Sequence, residues 1–411
     1  MSTTVDRPVI TGIGVAAPTG LGTGAHWSAT VAGATGIAGI TRFAAEGYPV
    51  RLAGEVPGFV PEEHVPSRLL PQTDHMTRLA LFAADEALKD SGLDLTTVSE
   101  YGAGIASASS MGGFEFGQRE LQNLWDKGGR FVSAYQSFAW FYAVNTGQIS
   151  IRHGLKGPCS AVVADQAGGL DAVGHARRQI RKGTRVMLAG GVDGALCPLG
   201  LVGQIASGRL STESRPERAY LPFDEAASGH VPGEGGAYVV LEDPASARLR
   251  GAHVYGELAG YAATFDPDPG APAADGLERA ARAALADAGR EPAEVAVVFA
   301  DAAGTPAADR AEAAALAAVF GPRGVPVAAP KAQTGRLYAG GAALDLVSAL
   351  LTLRDGAIPP TVNVTAVAED CPVDLVLGGS RPITGDAALV LARGEGGFNV
   401  AVVVTTARTT R

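Results

Sequence analysis

The residue with the clearest chemical signal is Gln166, in the stretch S-A-V-V-A-D-Q-A-G-G-L-D-A (Ser160–Ala172). Val162 and Val163, set among small residues, predict a buried strand, and the small residues after Gln166 predict the start of a helix. A sharp strand-to-helix turn is where some enzymes hold a nucleophile, because free N–H groups at a helix N-terminus favour developing negative charge. A neutral amide is no nucleophile, so Gln166 does not match the position that it occupies.

Motifs for metal binding and for other kinds of catalysis are missing from the sequence. All seven histidines lie at or before position 253, and no C-x-x-C or H-x-E spacing occurs, which argues against a zinc site. The sequence also lacks a G-x-S-x-G elbow and a P-loop, which argues against a serine hydrolase of that type and an NTPase. We therefore expect neither a metal nor a cofactor.

The composition indicates a large protein with a well-packed core. The chain has 411 residues, 46% hydrophobic and 18% charged, which predicts two domains or one duplicated domain. A net charge of −9 argues against a nucleic-acid or membrane-surface partner, and no apolar run is long enough to span a bilayer. The three separated cysteines (Cys159, Cys197, Cys371) are typical of a reducing compartment, so we expect a cytoplasmic protein.

An internal repeat predicts the architecture. Ala284–Gly289 (A-L-A-D-A-G) resembles Ala87–Gly92 (A-L-K-D-S-G), and a spacer and a buried strand follow each copy. Ala339–Gly356 resembles Ala167–Gly183 in the same way. Because helices and buried strands recur in the same order, the sequence predicts two α/β halves, residues 1–250 and residues 251–411.

Two further stretches have apolar side chains that can line a site or a contact surface. In Met111–Trp125, the side chains of Phe114, Gly117 and Leu121 fall on one face of a predicted helix. Periodicity alone favours an ordinary core face for these three positions. The aromatic run Phe138–Tyr142 is typical of a core or of an interface.

Three segments together resemble the β-ketoacyl synthase family: Ser160–Ala172, Leu221–Glu242 and the closing G-G-F-N of Gly396–Asn399. The resemblance runs in consistent order from about Val9 to Val404. It implies a thiolase fold, an internally duplicated α/β unit in five layers (α-β-α-β-α), which works as a dimer. Condensing members of the family use a cysteine at the strand-to-helix turn and two histidines from the second half of the chain.

All three catalytic positions carry other residues in this chain. The cysteine position holds Gln166, and the two histidine positions hold Asp301 (in F-A-D-A-A-G-T) and Arg336 (in K-A-Q-T-G-R). Claisen condensation needs a thiolate to carry the acyl chain and neutral donors at the developing enolate oxygen, and these residues supply neither. Since the two histidine positions of the family face one pocket, we expect Asp301 and Arg336 to form an ion pair.

The pattern V-A-D-Q-A-G-G-L-D is most similar to the chain-length factors, the ketosynthase β subunits of type II aromatic polyketide synthases. That resemblance implies a non-condensing subunit that forms a heterodimer with an active ketosynthase α subunit. The substrate is then presented on the phosphopantetheine of an acyl carrier protein, which docks mainly through the partner. The family's tunnel positions fall on Phe114, Gly117 and Leu121, so these residues are expected to limit the length of the poly-β-ketone.

Two alternatives remain open at this stage. The chain could be a malonyl-carrier decarboxylase that makes the starter unit, with Gln166 in a catalytic role, as proposed for ketosynthase domains with glutamine at the cysteine position. Those domains keep both histidines, whereas this chain has neither. It could also be a scaffold that only stabilises its partner. Resizing the face with Phe114, Gly117 and Leu121 separates a tunnel wall from a scaffold, because only a tunnel wall alters product length.

Overall fold

The computed structural model describes residues 7–267 and 274–407. The strands are β1 Val9–Ala17, β2 Gly20–Leu21, β3 Ile37–Gly39, β4 Leu52–Gly54, β5 Ala103–Ala108, β6 Cys159–Val162, β7 Val186–Asp193, β8 Gly235–Glu242, β9 Gly256–Phe265, β10 Val295–Phe299, β11 Pro326–Ala328, β12 Ala357–Ile358, β13 Asp374–Leu375, β14 Arg381–Pro382, β15 Ala387–Arg393 and β16 Phe398–Thr405. The helices are α1 Thr23–Val31, α2 Pro61–His64, α3 His75–Asp90, α4 Phe114–Lys127, α5 Gln136–Ala139, α6 Val144–His153, α7 Gly168–Arg181, α8 Pro198–Ala206, α9 Pro216–Ala219, α10 Pro244–Leu249, α11 Ala274–Ala288, α12 Pro306–Phe320, α13 Lys331–Thr334 and α14 Ala339–Asp355.

The strand order repeats between the two halves. The first half runs β1-β8-β7-β5-β6 and the second runs β9-β16-β15-β10-β11, with antiparallel pairs on one side and parallel pairs on the other. A short antiparallel pairing of β1 with β9 joins the halves into one continuous sheet. The predicted duplication is therefore confirmed, while the division at residue 250 stays a prediction.

Helix packing on the two sheet halves gives five layers. Helices α7 and α14 lie in the middle, because each contacts strands of both halves as well as the other helix. Helices α3 and α6 cover the outer face of the first half, and α11, with α12 packed on it, covers the second. The predicted α-β-α-β-α thiolase fold is thus confirmed. Helix α14 is buried from Ala339 to Leu353, as a central layer requires.

Local sequence signals account for the helix ends that frame the site. The Asp74 side chain accepts a hydrogen bond from the Met76 N–H and so caps α3, as aspartate before the first helical residue commonly does. Helix α14 ends at Gly356, whose φ of 71° lies in the left-handed region that glycine adopts most readily.

The prediction of a buried strand before Gln166 is wrong in one respect. Strand β6 is the edge strand of the first half, and its only partner among the described residues is β5. Its side chains alternate between exposed and half-buried, and Val163, just beyond its end, is 48% exposed. A run of small and β-branched residues does not distinguish a central strand from an edge strand that another chain could cover.

Among the helices in residues 7–267 and 274–407, none has the length and apolar character that crossing a bilayer requires.

Candidate functional site

Gln166 lies at the expected turn between strand and helix. A single 3-10 turn, Asp165–Ala167, joins β6 to the start of α7 at Gly168. The backbone of Asp165 is left-handed, with φ of 49°, and its carboxylate accepts a 2.8 Å hydrogen bond from the Glu395 N–H. The Gln166 side chain is 6% exposed. The scaffold for a nucleophile is therefore present, but the side chain that it holds is an amide.

The start of α7 packs against the start of α14 at unusually short range. A Cβ atom on Gly169 would lie 2.4 Å from the Ala339 carbonyl oxygen, so only glycine permits this approach. The Asp193 carboxylate, at the end of β7, accepts a 3.4 Å hydrogen bond from the Ala339 N–H. The contact brings α14, and with it the loop that carries Arg336, against the Gln166 turn.

Asp301 and Arg336 form a buried ion pair, which confirms the expectation from the sequence. Arg336 Nη2 donates to both carboxylate oxygens of Asp301 at 3.0 and 3.1 Å, and Nη1 donates to its carbonyl oxygen at 2.8 Å. Asp301 is 2% exposed and Arg336 is 4% exposed. Burial alone would lower the pKa of Arg336, but the Asp301 carboxylate beside it outweighs burial and raises that pKa. The Arg336 guanidinium therefore keeps its positive charge.

Two buried carboxylates of α12 hold the loop that presents Asp301. Glu312 accepts hydrogen bonds from the Asp301 and Ala302 N–H groups, both at 2.7 Å, and Asp309 accepts from the Gly304 and Phe223 N–H groups. Burial raises the pKa of each carboxyl to about 7. The sequence showed that these acids are present, but not that they bind backbone N–H groups.

Gln166, Asp301 and Arg336 line one small cavity of about 70 Å³, together with His230 and Arg393. An engineered cavity of about 150 Å³ holds one benzene molecule, so a volume of about 70 Å³ leaves little space for a malonyl or longer acyl thioester. Two ion pairs lie at its rim: Arg209 with Glu395 at 3.2 Å and Arg393 with Asp266 at 3.1 Å. Sequence reasoning missed His230 and these rim pairs, because their members are far apart along the chain.

Among the described residues, only one imidazole, that of His230, lines this cavity, whereas the condensing members of the family use two. The His230 ring is 5% exposed, and burial lowers its pKa to about 3, so the ring is neutral at physiological pH. It is followed directly by Val231, whose carbonyl oxygen accepts a hydrogen bond from the Arg336 N–H. The site as a whole offers neither a thiolate nor two imidazoles aimed at one oxygen.

The second predicted site, on α4, has a different character. Gly117 is buried, whereas Phe114 and Leu121, on the same face, are only half-buried. A Cβ atom on Gly117 would meet only the Trp140 Cβ atom, at 3.6 Å, which is ordinary van der Waals contact. Gly117 therefore packs against Trp140 of the aromatic run, at a distance that a methyl group would fit.

The aromatic run next to α4 is largely exposed. Trp140, Phe141 and Tyr142 are 50%, 40% and 41% exposed, although Ala139 is buried. These three side chains and Val163 are called here the β6 surface, because α6, which follows Tyr142, packs against β6. Of the two interpretations from the sequence, core and interface, the structure excludes a core position for these three aromatic residues in the single chain.

Family models account for most of the sequence. The model described as the β-ketoacyl synthase N-terminal domain matches residues 6–247, and the model for the C-terminal domain matches residues 255–365. The chain belongs to the β-ketoacyl synthase family.

Relatives within the β-ketoacyl synthase family place the chain more closely. It is 58% identical to the actinorhodin polyketide putative β-ketoacyl synthase 2 of Streptomyces coelicolor, over 96% of this chain and 98% of the relative. It is also 58% identical to the tetracenomycin polyketide synthase ketoacyl synthase β subunit of Streptomyces glaucescens, over 96% and 97%. The structure of the ishigamide ketosynthase/chain length factor matches with a TM-score of 0.91 at 29% identity, over 98% of this chain and all of that one.

Proposed function

We propose that this chain is the non-condensing β subunit, or chain-length factor, of a type II polyketide synthase. It forms a heterodimer with an active ketosynthase α subunit, and the α4 face with Phe114, Gly117 and Leu121 forms part of the tunnel wall for the poly-β-ketone. The observation that carries the proposal is the contrast between an intact ketosynthase scaffold and a site without a nucleophile. The two β-subunit relatives at 58% identity support it.

The heterodimer is supported by the β6 surface. An exposed edge strand beside three exposed aromatic side chains is unfavourable in water and is typical of a surface that a partner covers. Obligate interfaces of this kind bury roughly 2,000–5,000 Å². The growing chain is carried on the partner's cysteine or on the phosphopantetheine of an acyl carrier protein, which docks mainly through the partner.

The small volume beside Gln166 favours this function over starter-unit decarboxylation. Decarboxylation of a malonyl thioester needs space for the malonyl group and donors for the enolate oxygen. The cavity at Gln166 encloses about 70 Å³, and the Arg336 guanidinium is bound to Asp301. Product length distinguishes a tunnel wall from a purely stabilising scaffold. If the chain is only a scaffold, a larger side chain at position 117 leaves the product length unchanged.

The experiment is co-expression with a ketosynthase α subunit and carrier protein, followed by co-purification and product mass. Phe141→Asp places a charge on the β6 surface and is expected to abolish co-purification and synthesis. Leu249→Asp is the matched control, because Leu249 is 86% exposed on α10 and lies outside the β6 surface. Full co-purification and synthesis with Phe141→Asp would contradict the proposal.

A further inference from the structure

Helix α4 has no side-chain cap of its own. Its N-cap residue is Gly113, which has no side chain to accept a hydrogen bond from the free N–H groups of the first turn. Any larger residue is excluded there, because a Cβ atom on Gly113 would lie 2.1 Å from the Ala139 carbonyl oxygen. Close packing against the aromatic run therefore removes the local cap from the helix that bears Phe114 and Gly117.

Asp74 supplies this cap from another helix. One carboxylate oxygen accepts from the Met76 N–H at 2.9 Å and caps α3, and the other accepts from the Phe116 N–H in the first turn of α4 at 2.8 Å. The side chain is 3% exposed. Burial raises the pKa of the Asp74 carboxyl to about 6, so the carboxylate stays charged at neutral pH although it is desolvated. One buried side chain thus fixes two helix N-termini relative to each other.

Other contacts hold the same end of α4. The Asp193 carboxylate accepts from the Ser110 and Met111 N–H groups in the loop before the helix, and Arg42 bridges Glu115 in the first turn to the buried Glu234. The other end of the helix is exposed: the last two apolar side chains there, Leu124 and Trp125, are 40% and 76% exposed. These contacts at the N-terminus thus hold the part of α4 that carries Phe114 and Gly117.

We propose that Asp74 is a positioning residue for product length: by capping α4 it fixes the distance between the Phe114–Gly117 face and the growing poly-β-ketone. The inference rests on the proposed function and deepens it. Without the cap, α4 occupies several positions, and each position ends the growth of the poly-β-ketone at a different length. Loss of Asp74 therefore broadens the product distribution, whereas a change in side-chain size on the wall shifts it.

The test measures the ratio of product lengths made by the assembled heterodimer with Asp74→Asn. Asparagine can cap only one of the two helices, because an NH2 group replaces one of the two oxygens that accept from the Met76 and Phe116 N–H groups. We expect the share of the main product to fall roughly twofold, with products one unit shorter and longer in its place. A smaller amount of folded protein lowers the yield of every product by the same factor. The ratio of product lengths therefore reports the position of α4 rather than the stability of the chain.

Two further variants make the result decisive. Asp243→Asn is the matched control, since Asp243 caps α10 through the Ser246 N–H and is expected to leave the ratio unchanged. Asp74→Ser keeps one hydroxyl oxygen as a cap for α3 but removes the second acceptor, and it decides the question if Asp74→Asn does not assemble. A single product length in the deciding variant, or equal broadening by Asp243→Asn, would overturn the inference. If Gly117→Phe and Phe114→Ala also leave the product unchanged, the proposed function fails instead.

Discussion

The cavity at Gln166 and the face of α4 lie in one fold but differ in charge and exposure. Around Gln166 the charged side chains are paired: Asp301 with Arg336 inside the cavity, and Arg209 with Glu395 at its rim. Along α4, Phe114 and Leu121 are apolar and half-buried, and Gly117 between them packs against Trp140. The difference indicates that this chain lacks the reactive groups of a ketosynthase but presents an apolar face on α4.

The largest expected effect is a loss of stability at the cavity beside Gln166. Asp301→Ala leaves the buried Arg336 guanidinium without its carboxylate, which commonly costs about 3–5 kcal/mol in the free energy of unfolding. The double variant Asp301→Ala with Arg336→Met removes both charges and is expected to lose less. Chemical denaturation of the purified variants measures the difference. If the double variant is as unstable as the single one, the unpaired Arg336 charge is not the cause of the instability.

A second prediction concerns how the stability of the fold depends on pH. His26 on α1 is fully buried, with one ring nitrogen 2.6 Å from the Thr19 hydroxyl and the other 3.3 Å from that of Ser348 on α14. Burial lowers its pKa from 6.5 to about 4. On acidification, the unfolded chain therefore binds the proton at a higher pH than the folded chain does. Stability is thus lost as pH falls from 6.5 towards 4, by up to about 3 kcal/mol.

The contribution of His26 is measured as the difference between the wild-type chain and His26→Gln in unfolding free energy against pH. The subtraction is needed because His230, whose pKa burial also lowers, adds to the same slope. We expect the variant to be less stable at pH 7 but to lose less on acidification. Parallel curves between pH 6.5 and pH 5 would refute the assignment.

A smaller effect on stability is expected to distinguish two glycines of the α4 region, Gly113 and Gly117. Gly113→Ala forces a Cβ atom to 2.1 Å from the Ala139 carbonyl oxygen and is expected to cost about 1–3 kcal/mol. Gly117→Ala meets only Trp140, at 3.6 Å, and is expected to stabilise the chain by about 0.5–1 kcal/mol, because alanine favours a helix interior. Thermal unfolding of both variants tests this. Equal destabilisation by both would mean that α4 is packed as ordinary core.

These effects show which parts of the molecule could be predicted from sequence. The Asp74 cap of α3 and the Asp301–Arg336 pair were predictable, because one depends on neighbouring residues and the other on motif positions kept in register. The second bond of Asp74, to Phe116, was not, since its partner lies 42 residues further along and the contact exists only once α3 and α4 have packed. The exposure of Val163 was missed for the same reason, because a strand's place in the sheet depends on the whole topology.

The central claim is that α4 contributes shape rather than chemistry, and product mass from the assembled heterodimer tests it most directly. Gly117→Phe places a bulky ring on the proposed tunnel face, so it is expected to shift the product to fewer ketide units with the heterodimer intact. Phe114→Ala, on the same face, is expected to shift it to more. Unchanged product masses in both variants, with assembly confirmed by co-purification, would contradict the account.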